Sequence, residues 1–79
     1  MTLQEFINVA PTLDGKTITV LHNGLMANGI YHFPSSGTCG SLIELTNVEF
    51  FKNGFPTDFP QQCDNYSILN ENIDEIIIE

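Results

Sequence analysis

Two histidines and two cysteines are the residues with the most versatile chemistry in this sequence. His22, His32, Cys39 and Cys63 could together bind zinc, and a pair such as Cys39 and His32 could form an activated nucleophile. The sequence has no Cys-x-x-Cys pair and no two histidines at ligand spacing, so every ligand would come from a separate element. We therefore predict no metal site, no cofactor and no catalytic residues, and we interpret both cysteines as free thiols, with a disulfide between them as the alternative.

Carboxylates are the most abundant ionisable groups. The chain has ten Asp and Glu against two Lys, and its net charge is -8. As calcium ligands the carboxylates lack the required loop pattern, and as paired catalytic acids they would need a cleft that 79 residues hardly support. We interpret them as a solvated acidic face that repels phosphate and attracts basic surfaces.

The element that opens the chain reads as a short helix. Thr2 and Glu5 have the spacing of a capping box, and Leu3, Phe6, Ile7 and Ala10 form one apolar face. Pro11 cannot continue a helix, so the spacing predicts about two turns. A helix this short is unstable alone, so it must dock on a sheet.

Strands dominate the middle of the chain. The β-branched stretch 16–22 predicts a first strand, with Ile18 and Val20 on one face. Asn23-Gly24 and Asn28-Gly29 both resemble hairpin turns, but they lie too close together for both to join full strands. We expect one to be a hairpin tip and the other a bulge or a widened loop, with a second strand from Gly29 to Phe33.

The second half of the chain predicts further strands separated by irregular segments. Residues 42–51 read as one bent strand or two short ones, and residues 55–65 as a long irregular segment pinned by Phe55 and Phe59. Residues 66–69 and 73–78 read as two strands joined by a polar turn. The final Ile-rich strand is apolar on both faces, which is typical of a covered strand or of an edge that pairs with a second copy.

Together these elements predict a single α+β domain over residues 1–79. A short N-terminal helix packs on an antiparallel sheet of about four or five strands, and a small open β-barrel is the near alternative. No apolar run is long enough for a membrane span, and no signal peptide is visible, so we expect a cytoplasmic protein without a membrane partner.

The whole chain resembles the short acidic proteins of phages and mobile elements, including anti-CRISPR proteins and DNA-mimic inhibitors. The resemblance is carried by length, by charge, and by the segments Thr2-Leu3-Gln4-Glu5-Phe6, Thr17-Ile18-Thr19-Val20 and Ile73-Asp74-Glu75-Ile76-Ile77-Ile78. It implies a non-enzymatic inhibitor in the host cytoplasm that binds and blocks a nucleic-acid-handling protein.

Our main hypothesis is therefore an acidic protein whose carboxylates stand in for phosphates in the groove of a basic nucleic-acid-binding partner, without direct contact to nucleic acid. The expected partner-binding residues are Glu44, Glu49, Asp64, Glu71, Asp74, Glu75 and Phe51. The first alternative is a small structural or regulatory subunit that self-associates, as a homodimer for example, through Ile73, Ile76, Ile77 and Ile78. The second alternative is a small-molecule-binding sponge formed at an oligomer interface.

Overall fold

The structure of the protein is a computed structural model. It describes residues 1–37, 40–52, 55–56 and 61–78. Helix α1 spans Leu3–Val9, and a 3-10 turn follows at Ala10–Leu13. The strands are β1 (Thr17–His22), β2 (Leu25–Tyr31), β3 (Leu42–Lys52), the two-residue β4 (Phe55–Pro56), β5 (Gln62–Leu69) and β6 (Ile73–Ile78). A second 3-10 turn, Asn70–Asn72, joins β5 to β6.

The predicted fold class is confirmed: one N-terminal helix packs on an antiparallel sheet with five strands of six or more residues. The sheet order is β4-β3-β2-β1-β6, and β5 pairs with β3 beside β4. All pairings are antiparallel. The strands at the two ends of the sheet are therefore β5 and β6, which are neighbours in the sequence.

The N-terminal helix forms as its capping box predicts. The Glu5 backbone N–H donates to the Thr2 hydroxyl at 3.2 Å, and the Thr2 backbone N–H donates to the Glu5 carboxylate at 3.0 Å. Hydrogen bonds from the Thr2 backbone and side chain to the Glu5 carboxylate hold the pKa of Glu5 below its ordinary value. Phe6 is fully buried and packs edge-on against Tyr31 of β2, with ring centroids 4.9 Å apart, so the helix is fixed to the sheet.

The two Asn-Gly pairs that the structure describes have different roles, as expected. Asn23 and Gly24 have φ of 50° and 79°, so they form the hairpin tip between β1 and β2. Gly29 instead lies inside β2, where the pairing with β3 shifts by one residue. The predicted second strand, Gly29 to Phe33, is wrong in its bounds because the tip is at residues 23–24 and β2 begins directly after it. Asn53-Gly54 and Phe59 lie outside the described residues.

The sheet bends where β2 crosses β3. Asn47 has φ of 52° in the middle of β3, opposite the shift at Gly29. A Cβ atom at Gly29 would lie 2.9 Å from the Thr46 carbonyl oxygen and 3.0 Å from a Val48 methyl group, so only glycine allows the two strands to approach this closely. Residues 42–52 are therefore one bent strand, and the bend brings the two ends of the sheet towards each other.

Candidate functional site

The two end strands carry peptide groups that no neighbouring strand of the described sheet pairs on their outer side. Strand β5 pairs with β3 over Leu42–Glu49 on its inner side, and β6 pairs with β1 over Ile18–His22. An open edge of this kind is a template for pairing with another chain. The same protomer thus offers two edges, and the three-residue turn Asn70–Asn72 joins them.

Exposed apolar side chains mark both edges. Leu69 at the end of β5 retains 46% of its exposure and Ile77 in β6 retains 44%, the two largest values for large apolar residues in the described part of the chain. The other three isoleucines of β6 belong to the hydrophobic core of the protomer or pack against it. Ile76 is fully buried, and Ile73 and Ile78 are half-buried against the core. Of the four predicted self-association residues, only Ile77 is exposed.

An aromatic cluster shows how far the sheet has curled. The Tyr66 ring of β5 lies 4.8 Å from the Phe50 ring of β3 and 5.6 Å from the His22 ring of β1, measured between centroids. Since His22 pairs with Ile73 of β6, this cluster brings β5 close to the strand that carries the opposite edge. Burial raises the pKa of the Tyr66 hydroxyl, and the neighbouring Cys63 adds to that shift.

His22 is the most deeply buried histidine in the described chain, at 4% exposure. Its Nε2 atom has no hydrogen-bond partner among the residues that the structure describes. Burial lowers the pKa of His22, and the carboxylate of Asp74 opposes part of that shift. Burial therefore favours the neutral form of the His22 imidazole, which packs against the Tyr66 ring.

A polar cluster lies where the β2–β3 loop meets the turn between β5 and β6. The Asn70 backbone N–H donates to the Ser41 carbonyl at 2.9 Å, and the Asn70 side-chain amide donates to the Gly40 carbonyl at 3.1 Å. The remaining side-chain atom, Asn70 Oδ1, is buried without a partner within the described residues. The two loops are thus held together at one end of the curled sheet, with a spare acceptor between them.

The predicted partner-binding residues are distributed over β3, β5, β6 and the turn between β5 and β6. Glu49 and Asp64 line a shallow groove along β3 and β5, where Gln62 donates a long 3.4 Å hydrogen bond to Glu49. Asp74 and Glu75 line a second groove beside the N-terminus. Glu44 pairs with Ser67 across β3 and β5, Glu71 is exposed in the turn, and Phe51 is half-buried opposite Met26.

The described residues do not bring together a set of side chains that could bind a metal ion. No group of three or more potential ligand side chains occurs among residues 1–37, 40–52, 55–56 and 61–78. Cys63 is a half-buried free thiol, whereas Cys39 lies outside the described residues, so the alternative disulfide is not tested. No described helix is long and apolar enough to cross a membrane.

Solved structures with this arrangement of helix and strands are Sm and Sm-like proteins. The chain superposes on an Sm protein of Pyrococcus abyssii solved with a uridine heptamer, at a TM-score of 0.69 and 15% identity over 91% of this chain and 94% of that one. A heptameric archaeal Sm protein gives 0.67 and 16%, covering 91% of this chain and 97% of the other. An Sm-like protein of Archaeoglobus fulgidus gives 0.69 and 17%, over 100% and 97%.

These likenesses show the fold, and the fold is the Sm fold: an N-terminal helix on a strongly bent five-stranded antiparallel sheet. No family model matches the sequence, and the search of curated proteins finds no match either. The identities are too low to carry more than the fold, so the function is a matter for proposal.

Three sequence-based expectations are overturned by these neighbours. The resemblance to phage, anti-CRISPR and DNA-mimic inhibitors is wrong, because the structural neighbours are Sm and Sm-like proteins. The hypothesis of an acidic inhibitor that blocks a nucleic-acid-handling protein is therefore also wrong. The exclusion of direct nucleic-acid contact is also contradicted, since one neighbour was solved with a uridine heptamer. Net charge was a poor guide because it averages over a surface that can bind through a few local groups.

Sequence reasoning missed the residues that join the two edges. Asn70 was read only as part of a polar turn, and Tyr66 and Leu69 only as strand residues. Leu69 carried a usable signal, because it is a large apolar residue directly before the Asn-Glu-Asn turn. The contacts of Asn70 with Gly40 and Ser41 span about thirty positions of sequence, and no local pattern reveals contacts of that range.

Proposed function

We propose that this protein is a non-catalytic, self-associating subunit in which β5 of one protomer pairs with β6 of the next. The observation that carries the proposal is a single bent sheet with two different open edges, each bearing one exposed large apolar residue. An interface between two different surfaces is heterologous, and it closes into a ring when the rotation per subunit allows. The heptameric state of an archaeal neighbour supports a ring as the closed form.

The test uses one damaged edge at a time. Leu69→Asp places a charge on the β5 edge and Ile77→Asp places one on the β6 edge, and each alone should abolish rings in sedimentation velocity or native mass spectrometry. A 1:1 mixture retains one intact pairing, between β6 of the first variant and β5 of the second, and should form dimers. Val9→Asp is the matched control, because Val9 is a similarly exposed apolar residue (38%) that lies on α1 and belongs to neither edge strand.

The mixture also separates pairing modes. If β5 paired with β5 and β6 with β6, each variant alone would still form dimers through its undamaged edge, and the proposal would be wrong in its geometry. If the parent chain stays monomeric at every concentration tested, the self-association proposal itself is wrong.

RNA binding by the assembled ring is the second candidate function. It is supported by the neighbour solved with a uridine heptamer and by the polar cluster around Asn70, where a buried acceptor lacks a partner in the described residues. The chain offers Lys16 and Lys52 as its only lysines or arginines, so we propose recognition through base edges rather than phosphates. Binding should then depend on salt much less than binding by a basic protein does.

Fluorescence anisotropy with labelled oligouridine, repeated over a range of salt concentrations, tests this. Asn70→Asp removes the amide that donates to Gly40 and adds a charge, and it should weaken binding while rings still form. Asn72→Asp adds the same charge two residues away in the same turn, and it should have a smaller effect. Failure of the parent ring to bind oligouridine at low salt would dismiss RNA as the ligand and leave the assembly proposal standing.

A further inference from the structure

The outer edge of β6 is already occupied at one position by the chain itself. The Ile76 backbone N–H donates to the Met1 carbonyl oxygen at 2.9 Å, and the Met1 amino group donates to the Ile76 carbonyl oxygen at 2.5 Å. This reciprocal pair has the pattern of one hydrogen-bonded pair in an antiparallel ladder. Met1 therefore lies where the first residue of an adjoining strand would lie.

Ile76 occupies the centre of the edge. Its partner in β1 is Val20, and the two form a non-hydrogen-bonded pair of the antiparallel ladder. The N–H and C=O groups of Ile76 therefore point away from β1, towards Met1. The β6 strand has only six residues, so about three of them present outward peptide groups to a neighbour. A strand arriving from another protomer could not use the central position while Met1 holds it.

The helix that follows Met1 is anchored to the sheet, so Met1 can move while the helix stays in place. Helix α1 begins at Leu3, its first turn is capped by Thr2 and Glu5, and Phe6 is fully buried. Only Met1 needs to move away from Ile76 to free the edge. Met1 also lines a groove together with the acidic residues Glu5, Asp74 and Glu75.

We propose that Met1 is an autoinhibitory strap that competes with an incoming β5 strand for the outer edge of β6. The inference rests on the proposed function, because the strap regulates the edge through which the protomers pair. Release of Met1 exposes two backbone groups that the next protomer then satisfies. The strap keeps the edge of the isolated protomer covered, and assembly displaces it.

The test compares two chains released from a fusion without extra residues. Deletion of Met1 removes both backbone bonds but leaves Thr2 as the helix cap, whereas Met1→Ala keeps the backbone pairing and removes only the side chain. Sedimentation velocity over a concentration series should show half-assembly of the deletion chain at a concentration on the order of 5- to 30-fold below that of the Met1→Ala chain. Hydrogen exchange on the monomers at low concentration should show faster exchange of the Ile76 amide in the deletion chain only.

The outcomes separate the strap from the assembly proposal. If both chains assemble at the same concentration, the strap inference is overturned and the proposed function stands. If the Ile76 amide exchanges equally in both monomers, the pairing with Met1 is absent in solution and the inference is again overturned. If neither chain assembles at any concentration, the proposed function fails and the strap has no assembly to regulate.

Discussion

The two open edges of the sheet are protected in different ways. Strand β5 has eight residues, and most of its exposed side chains are polar, as in Gln62, Asp64, Asn65 and Ser67. Strand β6 has six residues and four isoleucines, and its central peptide group is covered by Met1. Polar and charged side chains discourage pairing along an edge, and a covering segment blocks it directly.

The strand with the stronger tendency to pair is thus the one whose edge is covered by another segment of the chain. The β-branched run of β6 favours pairing with any available strand, whereas the polar sequence of β5 does not. In the proposed assembly, the polar β5 edge of one protomer pairs with the β6 edge of the next after Met1 is displaced.

The largest expected effect separates the two faces of β6. Ile76→Ala removes side-chain atoms from a fully buried site, so it should lower the free energy of unfolding by about 2–5 kcal/mol. The next residue in the strand, Ile77, is 44% exposed, and Ile77→Ala should change the stability of the monomer by less than about 0.5 kcal/mol. Urea unfolding at low protein concentration measures both, and equal losses would show that the face assignment in β6 is wrong.

The next effect concerns the bend that brings the two edges together. Gly29→Ala forces a Cβ atom to within 2.9 Å of the Thr46 carbonyl oxygen, so it should cost about 1–3 kcal/mol and distort the register of β2 against β3. Gly24→Ala is the control, because no atom lies within 4 Å of its Cβ position and its cost comes only from positive φ. If Gly29→Ala has no effect on stability, the close approach of β2 and β3 is not as tight as described.

Local signals were enough to predict much of this fold. The capping box at Thr2 and Glu5, the tip at Asn23-Gly24 and the Ile-rich strand at the end each depend on residues that are close in sequence. The fold class followed, because a short amphipathic helix and several strands have few ways to bury their apolar faces. The sequence did not decide which of the two neighbouring Asn-Gly pairs forms the tip, because both carry the same turn signal.

The site could not be predicted in the same way. Whether β6 is central or an edge depends on its pairing with β1, about fifty-five residues earlier in the chain, and the sequence pattern of Ile73–Ile78 allows both. The approach of Tyr66 to His22 depends on the bend at Gly29 and Asn47. The charge of the chain, which was taken as the main functional signal, contains no information on either contact.

A smaller effect is expected at Thr2, the N-cap residue of α1 that directly follows Met1. Thr2→Ala removes the hydroxyl that accepts from the Glu5 backbone N–H, so it should lower the free energy of unfolding by about 0.5–2 kcal/mol. Because a frayed first turn also loosens Met1, the Ile76 amide should exchange faster. Thr12→Ala is a control, since the Thr12 hydroxyl is exposed and bonds only to the Val9 carbonyl in the following 3-10 turn. Unchanged stability and exchange in Thr2→Ala would mean that the first turn is frayed in solution.

The smallest expected effect is a pH dependence of the free energy of unfolding. It arises from His22, whose ring packs against Tyr66. Burial lowers the pKa of His22 in the folded protein below its unfolded value of about 6.5, so the unfolded chain binds more protons as the pH falls through that value. The stability that depends on neutral His22 is therefore complete above about pH 6.5 and is lost progressively below it. Asp74 opposes the shift, which keeps the effect small. Urea unfolding between pH 5 and 8 should show a decline on the acid side that His22→Gln reduces and the control His32→Gln, at an exposed site, leaves in place. A decline that is identical in the His22→Gln chain would assign it to the carboxylates instead.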